Sequence, residues 1–488
     1  MDNNNSSPIE QSTLFERVSN STVLKLLVIF FLSLILLIPL SLISDLIEER
    51  KNREQEVAAG ITLNWGKDQV VSSPILAIPY RETIPLSAEK IQKSNLREET
   101  KWIFILPKTS NITTDITPQH LSRGIYTSVV YHSNMTLEGS FDKISLEKLE
   151  IPKEDIDWKG SKLIFGLQDF KGLGKRPSLN WDGDELTFDP DFNNLKLFNQ
   201  NLVCSVPLDP QKKNSLYKIK LNLKGSRSLN FLPLGDQTNI QAKGNWANPS
   251  FTGAFLPSKR STGTSNFSAS WEIPSFNRKL PQQWTGDARP IYQFDTNLEN
   301  TNDRNEQKTA QNSASAVTTV NSLLDNTDMI TINFLPDINN YQKTTRVAKY
   351  GILVIILTFT SLLFTEVIKK KRIHIIQYIL IGAAMVLFYT LLLALSEHIG
   401  FNLAYLTASI ATVMLIGSFI KSITKDQKSA VLLSSILGLF YLFIYILMQL
   451  RDYSLVAGTI GIFIILAILM RVSTKINWYQ FDNSHADQ

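Results

Sequence analysis

The stretch that decides the fold is residues 375–420, which read IIQYILIGAAMVLFYTLLLALSEHIGFNLAYLTASIATVMLIGSFI. Apart from Glu397 and His398 near its middle, it contains no Asp, Glu, Lys, Arg or His. A helix rises about 1.5 Å per residue, and the hydrocarbon core of a bilayer is about 30 Å thick. The apolar runs Ile375–Ser396 and Ile399–Ile420, each 22 residues long, are therefore predicted to cross a membrane.

Four further runs lack Asp, Glu, Lys and Arg: Leu26–Ser44, Tyr350–Thr365, Ser429–Leu450 and Tyr453–Met470. At the ends of the shortest, we expect Lys349 and Glu366 to direct their charged groups toward the membrane interfaces. Five such runs in a soluble protein would require an unusually large apolar core. The sequence therefore predicts one transmembrane helix at 26–44 and a five-helix transmembrane bundle at 350–470.

Charged residues in the connections predict the orientation of these helices. On one side the loops and tails carry eleven Lys and Arg residues, whereas the other side carries only Arg451. The positive-inside rule then places the tails 1–25 and 471–488 in the cytoplasm. The first run is too long for a signal-peptide core and lacks a cleavage site, so we expect an uncleaved anchor. Residues 45–346 are predicted to lie outside the cytoplasm.

This large segment shows the alternation of a β domain. Residues 216–224, LYKIKLNLK, and 267–273, FSASWEI, alternate between polar and apolar side chains, as half-buried strands do. A charged stalk helix is expected near 46–59, and the Asn-rich, aromatic-poor stretch near 297–328 indicates a flexible insertion. The single cysteine, Cys204, excludes an intrachain disulfide framework and is expected to be a core residue.

The residue patterns point away from several functional classes. The segment 45–346 carries 36 Lys and Arg against 35 Asp and Glu, which argues against binding nucleic acid through net charge. Motifs typical of serine hydrolases, zinc proteases and thiol redox enzymes are absent from the sequence. Residues 171–176 and 182–185 are interpreted as turns rather than phosphate or calcium sites. Ionisable residues stand only at the ends of the apolar runs, which disfavours ion-coupled transport.

The sharpest local feature is the pair Glu397 and His398 in the predicted outer turn of the bundle. A carboxylate beside an imidazole can serve in acid–base chemistry or as a pH-sensitive contact. The alternative is a polar turn that caps two helix ends and pairs with the overlying domain. We predict that these residues couple domain and membrane, with Arg260 and Arg346 as partners on the domain side. We expect no catalytic residues, cofactor or metal.

Several stretches resemble the CreD family of bacterial inner-membrane proteins. They are 74–79, 249–257 followed by Lys259 and Arg260, 341–350, 377–382 continuing through 391–401, and 477–481. The resemblance covers nearly the whole chain and departs at the Asn-rich stretch, which looks longer here. It implies a role in cell-envelope integrity, linked in some bacteria to tolerance of envelope-targeting agents and to a two-component system. It implies no established reaction.

The sequence thus predicts a multi-pass inner-membrane protein with a large, mainly β, periplasmic domain. We expect it to support envelope integrity, with that domain engaging an envelope protein or lipid beside the bilayer itself. The alternative is an envelope-modifying enzyme, or a lipid- or solute-handling transporter, with its site at the domain–membrane junction.

Overall fold

The computed structural model describes residues 22–85, 96–144, 149, 151–191, 195, 197–292, 323–324, 326–334, 340–369, 373–450 and 454–474. The chain divides into two compact units. A helical unit contains residues 1–55 and 337–488, and a β unit contains residues 56–336.

Eight α-helices occur in the described residues. They are α1 (Thr22–Ile35), α2 (Leu37–Trp65), α3 (Asn340–Lys349), α4 (Gly351–Lys369), α5 (Ile375–Ile399), α6 (Phe401–Thr424), α7 (Gln427–Gln449) and α8 (Ser454–Ser473). Six helical spans are long and apolar enough to cross a membrane, counting α1 and α2 as one span from Leu26. These elements confirm the predicted class: an N-terminal apolar helix, a β domain and a C-terminal set of apolar helices.

The break between α1 and α2 has a local cause. Pro39 lacks the N–H that would donate to the carbonyl of Ile35, and its ring crowds that carbonyl. The flanking bonds persist, from Leu36 N to Leu32 O at 3.0 Å and from Leu40 N to Leu36 O at 3.3 Å. After this break α2 continues through the charged segment 46–59 and ends at Trp65.

Close packing in the helical unit depends on a small residue. Gly382 of α5 lies so near to Leu36 that a Cβ at this position would clash with the leucine side chain. Small residues let apolar helices approach closely where lipid supplies no hydrophobic driving force.

Glu366 has a buried partner that the sequence does not predict. It is only 6% exposed, and its Oε2 accepts a hydrogen bond from the Tyr378 hydroxyl at 3.1 Å. Its carboxylate therefore faces a neighbouring helix, and its depth in the membrane stays a prediction. Because α4 extends to Lys369, Glu366 lies within the helix and against α5.

The β unit contains two sheets. The strands are β1 (Gln69–Ser72), β2 (Ile75–Pro85), β3 (Leu96–Ile105), β4 (Thr109–Arg123), β5 (Tyr126–Asp142), β6 (Lys162–Leu167), β7 (Ser178–Trp181), β8 (Asp184–Thr187), β9 (Asp189–Pro190), β10 (Gln200–Ser205), β11 (Asn214–Ser226), β12 (Ser228–Leu232), β13 (Gln237–Gly244), β14 (Ser250–Gly253), β15 (Lys259–Thr262), β16 (Phe267–Pro274), β17 (Gln283–Gly286) and β18 (Ile330–Asn333). The first sheet has the order β14-β18-β12-β1-β6-β2-β3-β17, with β10 on β6 and β9 on β10. The second has the order β15-β16-β13-β4-β5-β11-β7-β8.

The main core lies between the two sheets. It contains side chains from both sheets, and along each strand they alternate with side chains that point to the opposite face. In β2, Leu76 and Ile78 join this core, whereas Ile75 and Ala77 join a smaller core on the other face of the first sheet. The second sheet contributes its inward side chains from every second position, as in β16, where Phe267, Ala269, Trp271 and Ile273 are buried. The first sheet is therefore covered on both faces.

The predicted strands and turns of the β unit are recovered. Residues 216–224 lie in β11 with alternating burial, and residues 267–273 lie in β16. Cys204 is buried in β10, as expected. Residues 182–183 form the turn between β7 and β8, and 170–172 form a short 3-10 helix.

The predicted insertion at 297–328 lies mostly outside the described residues. Its end, however, belongs to the folded unit. Leu324 is 4% exposed in the smaller core, and Lys279 Nζ lies 2.8 Å from Asp328 Oδ1. These residues thus contribute contacts to the β unit, and the flexibility of the insertion stays a prediction.

Candidate functional site

The candidate site surrounds the turn between α5 and α6, which contains Glu397 and His398. A single residue, Gly400, joins the two helices with a φ of 76°. A side chain at Gly400 would meet no atom within 4 Å, so its requirement for glycine is conformational. This short connection holds the end of α5 against the start of α6.

The short amphipathic helix α3 packs against this turn. Its buried residues are Tyr341, Thr344, Val347 and Ala348, spaced three or four positions apart on one face. That face contacts α4, α5, α6 and α7. The sequence predicts residues 341–350 only as a family motif and not as a helix, although the spacing of the buried residues is typical of an amphipathic helix.

Two hydrogen bonds tie α3 to the turn. The Tyr341 hydroxyl donates to Glu397 Oε1 at 3.0 Å, and Asn340 Nδ2 donates to the Ser396 carbonyl at 3.2 Å. Tyr341 is 5% exposed and Glu397 is half-buried, so water competes only partly with the first bond. Glu397 thus has a specific partner in α3.

A third contact reaches the start of α6. Lys343 Nζ lies 5.4 Å from the centroid of the Phe401 ring, within the range of a cation–π interaction. Phe401 is 3% exposed and begins α6 directly after Gly400. We call Asn340, Tyr341, Lys343, Ser396, Glu397 and Phe401 the turn site.

The other predicted site residues occupy separate positions. His398 and Arg346 are exposed, and the described residues include no ion pair between Arg346 and Glu397. Arg260 is exposed in β15 of the β unit. The structure therefore joins Glu397 to Tyr341, a partner that sequence reasoning missed, and the pairing with either arginine stays a prediction.

A second polar pair lies near the opposite end of α5. Tyr378, which donates to Glu366, precedes Glu397 by 19 residues, or about 28 Å of helix. At the end of α4, Lys369 Nζ lies 3.8 Å from Asp426 Oδ2, and Asp426 caps α7 by accepting from Lys428 N at 3.0 Å. Helix α5 thus carries one polar contact near each end.

Metal binding finds no support in the part of the chain that the structure describes, where no group of three or more His, Cys, Asp and Glu could hold an ion. His120 lies 5.1 Å from the Trp246 ring and His132 lies 5.2 Å from the Trp65 ring, measured between ring centroids. Both histidines therefore have aromatic surroundings.

Almost the whole chain, including the residues around the turn, matches a known family. The family model described as "Inner membrane protein CreD" matches residues 21–479. The chain belongs to the CreD family. The inner membrane protein CreD of Escherichia coli (strain K12) is 31% identical over 460 residues, which are 94% of either chain. CreD membership and the six apolar spans together make this a multi-pass inner-membrane protein.

Solved structures resemble the CreD chain only weakly. An M1 zinc metallopeptidase from Deinococcus radiodurans has a TM-score of 0.18 at 8% identity. The match covers 36% of this chain and 41% of that one. Native yeast LTA4 hydrolase has a TM-score of 0.19 at 9% identity, over 36% of this chain and 28% of its own. Neither similarity supports a catalytic role.

Proposed function

We propose that the protein supports cell-envelope integrity without catalysing a reaction. Its β unit engages an envelope component, and the turn site couples the state of that unit to the transmembrane helices. The observation that carries this proposal is the contact of α3 with the Glu397 turn.

Chain connectivity makes α3 suitable for this coupling. The last described strand of the β unit, β18, ends at Asn333, and α3 begins at Asn340, seven positions later. A displacement of the chain where it leaves the β unit is therefore passed to α3 through a short connection. Because Tyr341 bonds to Glu397, that displacement strains or releases the turn between α5 and α6.

The proposed orientation follows from the distribution of positive charge. With eleven Lys and Arg residues in the connections of one side and one in those of the other, both termini are cytoplasmic and the β unit is periplasmic. The Glu397 turn then lies on the periplasmic side, where an engaged β unit can act on it. Glu397, His398, Arg260 and Arg346 remain the proposed coupling residues, to which we add Tyr341.

A complementation experiment tests the coupling. Cells that lack the gene receive the wild type, Tyr341→Phe or Glu397→Gln at matched membrane levels, and their survival under a detergent or a cell-wall antibiotic is measured. Both variants are expected to restore less resistance than the wild type, because each weakens the bond between α3 and the turn.

Tyr350→Phe is the matched control, since Tyr350 directly follows α3 and has no described hydrogen bond through its hydroxyl. It is expected to behave as the wild type. Full resistance with both Tyr341→Phe and Glu397→Gln would refute the proposed coupling.

A further inference from the structure

A cavity of about 540 Å³ opens at one end of the β unit. It lies where β5 ends at Asp142 and β11 begins at Asn214, two residues that are partners in the second sheet. Its described lining includes residues from both sheets and from the segments around 153–158 and 208–213. Ligand pockets in proteins typically have volumes of about 300–1,000 Å³. The cavity therefore has room for one small amphiphile.

The inner wall of this cavity is apolar. Leu76 of β2 and Phe141 of β5 both belong to the main core between the sheets and are 1% and 2% exposed. Trp158 and Leu208 are half-buried against the same core. An apolar chain that enters here continues the packing of the core and covers the exposed parts of Trp158 and Leu208, because Leu76 and Phe141 are already almost fully buried.

The rim of the cavity is positively charged. Lys143 follows β5 and Lys213 precedes β11, so the strand register places both lysines at the same end of the second sheet. Lys153 and Lys212 also line the cavity, against two carboxylates, Asp142 and Asp209.

Only some of the charged residues at the rim form ion pairs. Lys212 Nζ lies 2.9 Å from Asp182 Oδ1, and Lys108 Nζ lies 3.6 Å from Asp142 Oδ2. Among the described residues, no carboxylate forms an ion pair with Lys143, Lys153 or Lys213. Three ammonium groups are thus available to a ligand at the mouth of an apolar cavity.

We propose that this cavity binds an anionic single-chain lipid. Its hydrocarbon chain packs on Leu76, Phe141 and Trp158, and its carboxylate or phosphate head pairs with Lys143 and Lys213. The inference rests on the proposed function, because it names the class of envelope component that the β unit engages. Neutral and cationic lipids of the same length bind less well, since they forgo or oppose the charges of the rim.

Photolabelling of the full chain tests this inference. The protein is placed in phosphatidylcholine nanodiscs with a palmitic acid that carries a diazirine on its chain, and labelled peptides are mapped by mass spectrometry after irradiation. Labels are expected in the peptides that contain residues 141–144 and 208–215. The diazirine analogue of palmityl alcohol, which has no charge, is expected to label them at least fivefold less.

The rim variant Lys143→Gln with Lys213→Gln is expected to reduce labelling by the acid at least fivefold. Both lysines are exposed, so the fold should tolerate the change. Lys175→Gln with Lys220→Gln is the matched control, because both residues are exposed lysines of the β unit outside the cavity lining. This control should label as the wild type.

Competition identifies the source of the anionic group. Unlabelled lysophosphatidic acid is expected to suppress the labels, whereas inorganic phosphate at the same concentration is expected to leave them unchanged. Suppression by inorganic phosphate alone would overturn the inference, because it would indicate a site for free anions. Equal labelling by the acid and the alcohol, or by the rim variant and the wild type, would also overturn it.

Failure here is distinguishable from failure of the proposed function. The labelling readout concerns the rim lysines and is independent of Tyr341 and Glu397, which the complementation experiment tests. Absence of cavity labels overturns the lipid inference and leaves the coupling proposal to its own variants.

Discussion

Removing the Tyr341 hydroxyl should release α3 from the Glu397 turn. The bond from Tyr341 to Glu397 Oε1 is 3.0 Å long, and Tyr341 is almost fully buried. A hydrogen bond to a charged group contributes about 1.5–3 kcal/mol. Because Glu397 is only half-buried and water can partly replace the hydroxyl, we expect the lower end, about 1.5 kcal/mol, for Tyr341→Phe. This corresponds to roughly a tenfold change in the equilibrium between docked and released α3.

Amide hydrogen exchange measures this equilibrium directly. Peptides that cover residues 344–349 report the opening of α3, since these amides are in the interior and last turn of that helix. In Tyr341→Phe their exchange should be about tenfold faster, because loss of the bond favours release of α3 by about 1.5 kcal/mol. Peptides from the middle of α5 should exchange as in the wild type, because local release of α3 leaves that helix intact.

A double-mutant cycle separates the bond from other contacts of Tyr341. If the hydroxyl acts through Glu397, then Tyr341→Phe should accelerate exchange much less in a Glu397→Ala background, which lacks the acceptor oxygen, than in the wild type. Tyr350→Phe serves again as the control. Unchanged exchange of α3 in Tyr341→Phe, or equal effects in the two backgrounds, would refute the assigned role of this bond.

Three further predictions concern the thiol, one carboxylate and two glycines. Burial, with Asp189 nearby, raises the pKa of the Cys204 thiol to about 11. A thiol reagent at pH 8 should therefore react at least 100-fold more slowly with folded than with denatured protein. Equal rates would contradict the buried position of Cys204. A hydrogen bond from Lys108 lowers the pKa of Asp236. The stabilisation by Asp236 is therefore present above its unfolded pKa of about 3.9 and lost as the pH falls through the depressed folded value. Asp236→Asn should make thermal stability fall less steeply below about pH 4. An unchanged pH dependence would contradict the stabilising role of Asp236. Gly400→Ala should cost about 1–3 kcal/mol by backbone strain alone. Gly382→Leu should disrupt packing against Leu36 and lower the melting temperature more. The reverse order in thermal unfolding would contradict both assignments.

Local patterns in the sequence predicted the elements of the fold well. Each apolar run predicted as a span lies largely within α1, α2 or α4–α8, because about 20 apolar residues are a property of consecutive positions. The strands β11 and β16 were predictable for a similar reason, since alternation with a period of two is also local. The turn at Glu397 was located by its charge within an apolar stretch.

The partners of these residues were much less predictable. Glu397 accepts a hydrogen bond from Tyr341, 56 positions earlier, which the sequence does not predict, and its pairing with an arginine stays a prediction. Glu366 is buried against Tyr378, a contact that the sequence does not predict either. In both cases the outcome depends on how far a helix extends and on which helix packs beside it, and neither is encoded in the neighbouring residues.

By itself the sequence determined which segments are membrane spans and which are strands. Long apolar runs require lipid, and alternating runs require a sheet with one buried face. The sequence also identified the CreD family. Only the tertiary structure decided that α3 covers the Glu397 turn, and that Lys143 and Lys213, 70 positions apart, meet at the mouth of one cavity. The physical reason is that hydrophobic periodicity is a pattern of neighbouring residues. Hydrogen bonds and charge clusters such as these depend instead on how elements far apart in the chain pack against each other.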